Sequence, residues 1–344
     1  MVEERAINVF VIVPRTSMFD AEGAREPRQY WSTVLRQMEW CERYGFSGML
    51  IFQGNEVYAD PWVVAQCILS GSATLTPLIA VNPMYMHPFT AARFVSSYAL
   101  VYGRRVWLNL ITGTALGDMK AMQAPELSHD ERYEQLGEYA TILISLLSSA
   151  APTTFAGRYY ATHKLRLFPR PPEALLPGLL LAGQSEAAAR IACSTGAIMQ
   201  QFLLPDLDAA HRPGCEGVAL GIVARGSDDD AWRAARAAFP DDPRRREILE
   251  LSMSNTDSVW KARMKRLAEG EGREACGYWL EPFKNFYTEA AYFVGSRARV
   301  SRLIRGLVER GVSTFILTLP TAEEDYRQVS LAFRAAQADR AKAR

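Results

Sequence analysis

Leu179-Leu180-Leu181-Ala182-Gly183-Gln184-Ser185 is an apolar run that stops at a glycine and opens at a serine onto a helical pattern reaching Thr195. It reads as a buried strand, a tight turn and a capped helix, one strand–helix unit. The same rhythm recurs in both directions. Strand-like runs at 7–13, 48–52, 78–81 and 106–112 precede it, and runs at 198–203, 218–224 and 314–318 follow. Helical patterns lie between them, at 61–69, 89–101, 129–147, 228–239 and 296–310 among others. Eight strand candidates, nearly all followed by helices, predict a TIM (β/α)8 barrel with insertion segments rather than two dinucleotide-binding halves. The strands are apolar throughout, as suits a parallel sheet covered by helices.

The 344 residues are therefore read as one domain, 1–344, since barrels of this kind exceed the usual domain length. Two stretches break the rhythm. Residues 151–178 carry Phe155-Ala156-Gly157-Arg158-Tyr159-Tyr160 and then Pro169, Pro171 and Pro172, which predicts a hairpin and an extended loop. Residues 240–290 form a helical and aromatic insertion, read as a lid or a subunit contact. The polar, alanine-rich tail 332–344 is read as a fraying helix.

Lys+Arg (39) and Asp+Glu (38) nearly cancel, giving a net charge of +1. A nucleic-acid-binding face needs a basic excess, so that class is excluded, and a polybasic membrane surface with it. No apolar run approaches the ~20 residues of a membrane span. The opening residues, Met1-Val2-Glu3-Glu4-Arg5, carry acids and no long apolar stretch, which predicts no signal peptide. The five cysteines are scattered without a CxxC pair, which predicts a reducing cytoplasm. The four histidines have no ligand spacing, so no metal is expected.

In a barrel of this kind, chemistry sits at the C-terminal strand ends. Those stretches are 14–19, 53–58, 82–87, 109–113, 183–185, 200–204 and 318–320. They hold no facing carboxylates and no GxSxG elbow, so glycosidase and serine-hydrolase chemistry are excluded. Catalytic candidates among them are Tyr58, Tyr85 and His87. The chemistry then belongs to a cofactor. Gly183-Gln184-Ser185 reads either as a phosphate cradle at a helix N-terminus or as an ordinary capped turn. His129 and Tyr133, four apart, share a helix face and read as oxygen-holding groups or as part of a capped helix start. Asn109 ends a strand, with an amide free for a polar ring edge or for a turn.

Together, Asn109-Leu110-Ile111-Thr112-Gly113, His129-Asp130-Glu131-Arg132-Tyr133-Glu134 and Ala182-Gly183-Gln184-Ser185 occur in the order seen in bacterial luciferase-like flavin monooxygenases. The chain most resembles the alkanesulfonate and long-chain alkane monooxygenase branch. Phe155 to Tyr160, Asn255-Thr256-Asp257-Ser258 and Val294-Gly295-Ser296 add to the resemblance, which spans about residues 5–330. It implies reduced FMN delivered by a separate NAD(P)H-dependent flavin reductase, with O2 activated at the flavin. It implies that Asn109, His129 and Tyr133 contact FMN and that Gly183, Gln184 and Ser185 hold its phosphate. It implies a homodimer or homotetramer acting on a small-molecule or carrier-tethered substrate. Rival implications are an F420-dependent hydride-transfer enzyme of the same barrel family, or a non-catalytic flavin-binding protein.

The sequence departs from the sulfonate branch where that branch holds its anion. Tyr58 stands where those enzymes carry a cysteine. Ala219 and Gly221 replace an arginine and a histidine, Phe286 replaces a lid arginine, and Leu319-Pro320-Thr321 replaces a tyrosine–proline–histidine run. A sulfonate buried without those cations would cost several kcal/mol. The substrate pocket is instead assigned to Phe19, Tyr58, Phe202, Trp279 and Phe286. That assignment implies monooxygenation of a neutral or bulky organic substrate in specialised metabolism.

Overall fold

The computed structural model describes residues 7–14, 27–55, 57–205, 215–270 and 274–342. In chain order the first elements are β1 (Asn8–Ile12), α1 (Pro27–Tyr44), β2 (Gly48–Ile51), α2 (Pro61–Gly71), β3 (Thr76–Val81) and α3 (Pro88–Tyr102). Next come β4 (Trp107–Leu110), α4 (Leu116–Ala121), α5 (His129–Ser148), β5 (Thr153–Ala156), β6 (Ala161–Leu165), β7 (Gly178–Ala182), α6 (Glu186–Thr195) and β8 (Ile198–Phe202). Then follow β9 (Gly217–Arg225), α7 (Asp228–Ala238), α8 (Pro243–Ser254), α9 (Val259–Ala268), β10 (Tyr278–Trp279) and α10 (Glu281–Lys284). The last are β11 (Tyr292–Ser296), α11 (Arg297–Glu309), β12 (Thr314–Thr318) and α12 (Glu323–Lys342). The fold is a TIM barrel of eight parallel strands with flanking helices, and β11 and the antiparallel β10 extend its sheet to ten strands.

Two compact parts make up the chain. The part formed by residues 48–200 carries the parallel order β2-β3-β4-β7-β8. Its helices begin where a side chain can satisfy a free amide. Asp60 accepts from Trp62 N (2.9 Å) ahead of Pro61, and His87 Nδ1 accepts from Phe89 N (3.2 Å) ahead of Pro88. Proline fits there because its missing N–H belongs to the unpaired first turn. Helix α3 ends at Gly103 with φ 62°, a conformation glycine adopts without steric cost. Leu110 and Leu181 pack against Tyr133, Leu136, Ala140 and Ala188, joining β4 and β7 to α5 and α6. The expected hairpin is β5–β6, antiparallel.

Its turn is held by a single carboxylate. Glu138 of α5 accepts from the backbone N–H groups of Arg158 (2.7 Å), Tyr159 (2.9 Å) and Tyr160 (2.9 Å). Arg158 reaches back to Glu131 (2.7 Å), and the Tyr160 ring stands edge-on to Tyr139 and His87.

The other part holds β1, the C-terminal half and the strand order β10-β11-β9-β12-β1. β9 is long enough to serve two parallel partners. Gly217 to Gly221 pairs with β12, and Gly221 to Arg225 pairs with β11. The extra strand β11 was not expected from the pattern, where only Val294-Gly295-Ser296 stood out. Its Tyr292 ring lies over Gly221, where a Cβ would overlap it. The 240–290 stretch contributes α8, α9, β10 and α10. Helix α12 runs on to Lys342 with Ala332, Phe333 and Ala336 buried, and Phe333 meets Phe315 of β12 edge-on at 5.0 Å. Among the described residues no helix is long and apolar enough to cross a membrane.

Candidate functional site

Side chains alternate across a strand, so the packing of one residue places its neighbours. Leu110 and Leu181 face the helices, which puts Asn109, Leu180 and Ala182 on the opposite, inner face of the sheet. Asn109 is in register with Leu180, and Ala182 with Gln200, so Gln200 shares that face. Asn109 and Gln200 are each 6% exposed. Among the described residues no donor reaches Asn109 Oδ1 or Gln200 Oε1. An unpaired buried amide oxygen costs about 1–3 kcal/mol, so two on one face mark a surface built for hydrogen-bond donors.

The second helix after β4, α5, begins with a capping box. Ser128 caps α5: its Oγ accepts from Glu131 N (3.3 Å), and Glu131 accepts from Ser128 N (2.9 Å). Those backbone and hydroxyl hydrogen bonds from Ser128, with the Arg158 contact, hold the Glu131 carboxyl below its ordinary range. One turn of helix brings the His129 and Tyr133 rings to 5.0 Å, tilted by 53°. His129 Nδ1 lies 2.8 Å from Asp130 Oδ1.

Tyr133 is buried, and its hydroxyl sits where a Cβ on Gly183 would be. The same Cβ would stand 2.8 Å from Ala188, at the start of α6. Gly183 is thus required by close packing. Ser185 caps α6, accepting from Ala188 N at 3.1 Å. Its hydroxyl hydrogen remains to donate. Gln184 lies half-buried between them. Asn109, His129, Tyr133, Gly183, Gln184 and Ser185 all belong to the 48–200 part.

The other sequence-picked residues have various places. Tyr85 donates to Asn55 Oδ1 (2.7 Å) and lies 3.4 Å from Asp118 Oδ2. Burial and the Asp118 charge push its phenol up to about 12, so Tyr85 is a neutral donor at ordinary pH. His87 spends Nδ1 as the cap of α3. Tyr58 is half-buried in the loop ahead of α2. Phe202 stacks flat on Trp260 at 4.2 Å. Trp279 is buried among Val223, Ala231, Ala235, Tyr292 and Val294 and meets Trp232 edge-on at 5.7 Å. Phe286 takes a positive φ of 50°, and its carbonyl lies 3.5 Å from the Arg245 guanidinium. Phe19 lies outside the described residues. Nothing in the motif spacing singled out Gln200 or Asp118. Gln200 opens the 200–204 strand-end stretch where chemistry is expected, and it was not singled out within that stretch.

Comparison with known proteins places this geometry among relatives. The family model described as luciferase-like monooxygenase matches residues 10–214. The 4-(gamma-L-glutamylamino)butanoyl-[BtrI acyl-carrier protein] monooxygenase BtrO of Niallia circulans is 28% identical over 313 residues, covering 87% of this chain and 89% of BtrO. The structure of long-chain alkane monooxygenase superposes with a TM-score of 0.73 at 13% identity, covering 98% of this chain and 92% of that one. The FMN-bound oxygenating constituent of 3,6-diketocamphane monooxygenase, from Pseudomonas putida, does so with a TM-score of 0.66 at 14% identity, covering 95% and 96%. An F420-dependent secondary alcohol dehydrogenase also matches with a TM-score of 0.66, at 16% identity and 96% and 99% coverage. At these identities the structures share the fold alone.

Proposed function

Because this chain belongs to the luciferase-like monooxygenase family, we propose that it uses reduced FMN and O2 to place one oxygen atom in a neutral or bulky organic substrate. The observation that carries the reading is the buried, unpartnered Asn109 Oδ1, in the same part of the chain as the Tyr133–Gly183–Ser185 cluster. An amide oxygen suits the N–H of a flavin ring edge. The Ser185 hydroxyl and the first amides of α6 suit a phosphate. His129 and the Tyr133 hydroxyl complete the polar set.

Reduced FMN supplies two electrons to O2, so that one oxygen atom enters the substrate and the other leaves as water. The chain's own task is to orient and to keep water out. Asn109 fixes the ring edge, and Ser185 with Gly183 and Gln184 anchors the phosphate. Tyr85 offers a neutral O–H rather than a charge. Tyr58 and Phe286 are the residues that the resemblance aligns with the cysteine and lid arginine of the sulfonate enzymes, and neither brings a cation for an anionic substrate, whereas Trp279, buried in a core against α7, is left out of the substrate set. Because BtrO acts on a carrier-bound acyl group, a carrier-tethered substrate is part of the reading. So are a separate NAD(P)H-dependent reductase and a homodimer or homotetramer in the cytoplasm.

Oxygen uptake is the test. The protein with photoreduced FMN and candidate carrier-tethered or free substrates should consume O2 and add 16 mass units to the substrate, about one oxygen atom. Hydride exchange with reduced F420 and no O2 uptake would replace this reading with the dehydrogenase one. FMN binding without oxidation of any substrate would favour a flavin-binding protein.

A further inference from the structure

We infer that Gln200 is a second amide of the flavin site, its side-chain carbonyl accepting a hydrogen bond from a ribityl hydroxyl. The inference rests on the flavin reading above. Gln200 is buried, with its Oε1 unpartnered among the described residues. It stands in register with Ala182, the residue immediately before the Gly183–Gln184–Ser185 turn. Leu181 packs outward on Tyr133 and Ala188, so Ala182 and Gln200 face inward together. Ala182 presents only a methyl group, which leaves the space beside Gln200 low. Asn109 lies on the same face, level with Leu180, two strands away and one pleat nearer the strand starts.

FMN offers these groups different chemistry. Its ring edge carries an N–H, its ribityl chain carries hydroxyls, and its phosphate is an acceptor only. An unpaired amide oxygen repels a phosphate, so Gln200 Oε1 cannot serve that end. The turn's donors can, and they follow Ala182 directly. The ribityl chain is the part bonded next to the phosphate, and Gln200 is the unpaired acceptor level with the residue that leads into the turn. Asn109, farther across the sheet, is left for the ring. A hydroxyl donor would give Gln200 the hydrogen bond that the protein does not.

FMN, riboflavin and lumiflavin (the ring without the ribityl chain) are titrated by fluorescence into wild type, Gln200→Met and Gln200→Leu. Losing one neutral hydrogen bond should weaken FMN and riboflavin by roughly fivefold alike. Lumiflavin should bind all three proteins equally. Without flavin, both variants should melt at or above the wild-type temperature, because a buried unpaired amide oxygen has been removed. Unchanged FMN and riboflavin affinity in both variants would overturn the inference. So would an equal loss for lumiflavin, or melting well below wild type in both. Failure of wild type to bind FMN at all would instead sink the flavin reading itself, and with it this one.

Discussion

The Tyr133 hydroxyl rests against Gly183, filling the space a β-carbon would occupy. Two segments fifty residues apart are thereby locked at one point, with Ala188 closing the other side. Gly183→Ala must push the tyrosine or the start of α6 aside. We expect it to cost about 1–3 kcal/mol of stability, as overpacking does. FMN affinity should fall by more than the stability loss alone explains. Adding Tyr133→Phe, which removes the overlapping oxygen, should recover part of the stability. Thermal unfolding and FMN titration of the single and double variants check this.

Ser185 is a cap whatever else it does. Ser185→Ala should lower stability by about 1 kcal/mol. If the turn also holds phosphate, Ser185→Ala with Tyr133→Phe should weaken FMN strongly. Riboflavin, which lacks the phosphate, should be spared the Ser185 part of that loss. Equal affinity of wild type and double variant for FMN would count against the phosphate assignment.

Glu138 is the single acceptor for three successive amides at the hairpin turn. Glu138→Ala leaves those amides to water and frees the turn from α5. Hydrogen exchange at residues 158–160 should speed up by about tenfold or more, since each lost bond is worth about 1 kcal/mol. The core of α5 around Leu143 and Leu146, fully packed, should exchange as in wild type.

Glu324 should make stability depend on acid pH. Hydrogen bonds from Arg327, and then from Gln328, pull its carboxyl down to about 2 from an ordinary value of 4.5. A folded value below the unfolded one means that its contribution is complete above 4.5 and is lost as pH falls toward 2. The melting temperature of Glu324→Gln should therefore lie below wild type at neutral pH. The gap should close through that window. Melting curves at stepped pH values give the answer, and a gap independent of pH would contradict it.

Alkanesulfonates should not be substrates. The resemblance puts Ala219, Gly221 and Phe286 where sulfonate enzymes are expected to hold their cations, and the Gly221 position is covered by the Tyr292 ring. A histidine could not be restored at Gly221 without displacing that ring. No sulfite should appear when the protein, reduced FMN and an alkanesulfonate are combined; sulfite release would refute the substrate reading.

Local pattern carried much of this protein. Short apolar runs marked the eight barrel strands, because burial on both faces leaves a short-range signature. The His129–Tyr133 face was legible for the same reason, since helix spacing is local, whereas the Ser128 capping box emerged only in the structure. Strand β11 was not legible, since Tyr292 to Ser296 becomes a strand only through pairing with the far half of β9. The burial of Ala332 and Phe333 in a polar-looking tail likewise depends on partners distant in sequence. What the sequence determined alone was therefore the list of elements and the residue types at their ends. The tertiary structure decided which of those ends meet. Tyr133 against Gly183 and the shared inner face of Asn109 and Gln200 follow from register and packing between strands, which no single stretch of chain encodes.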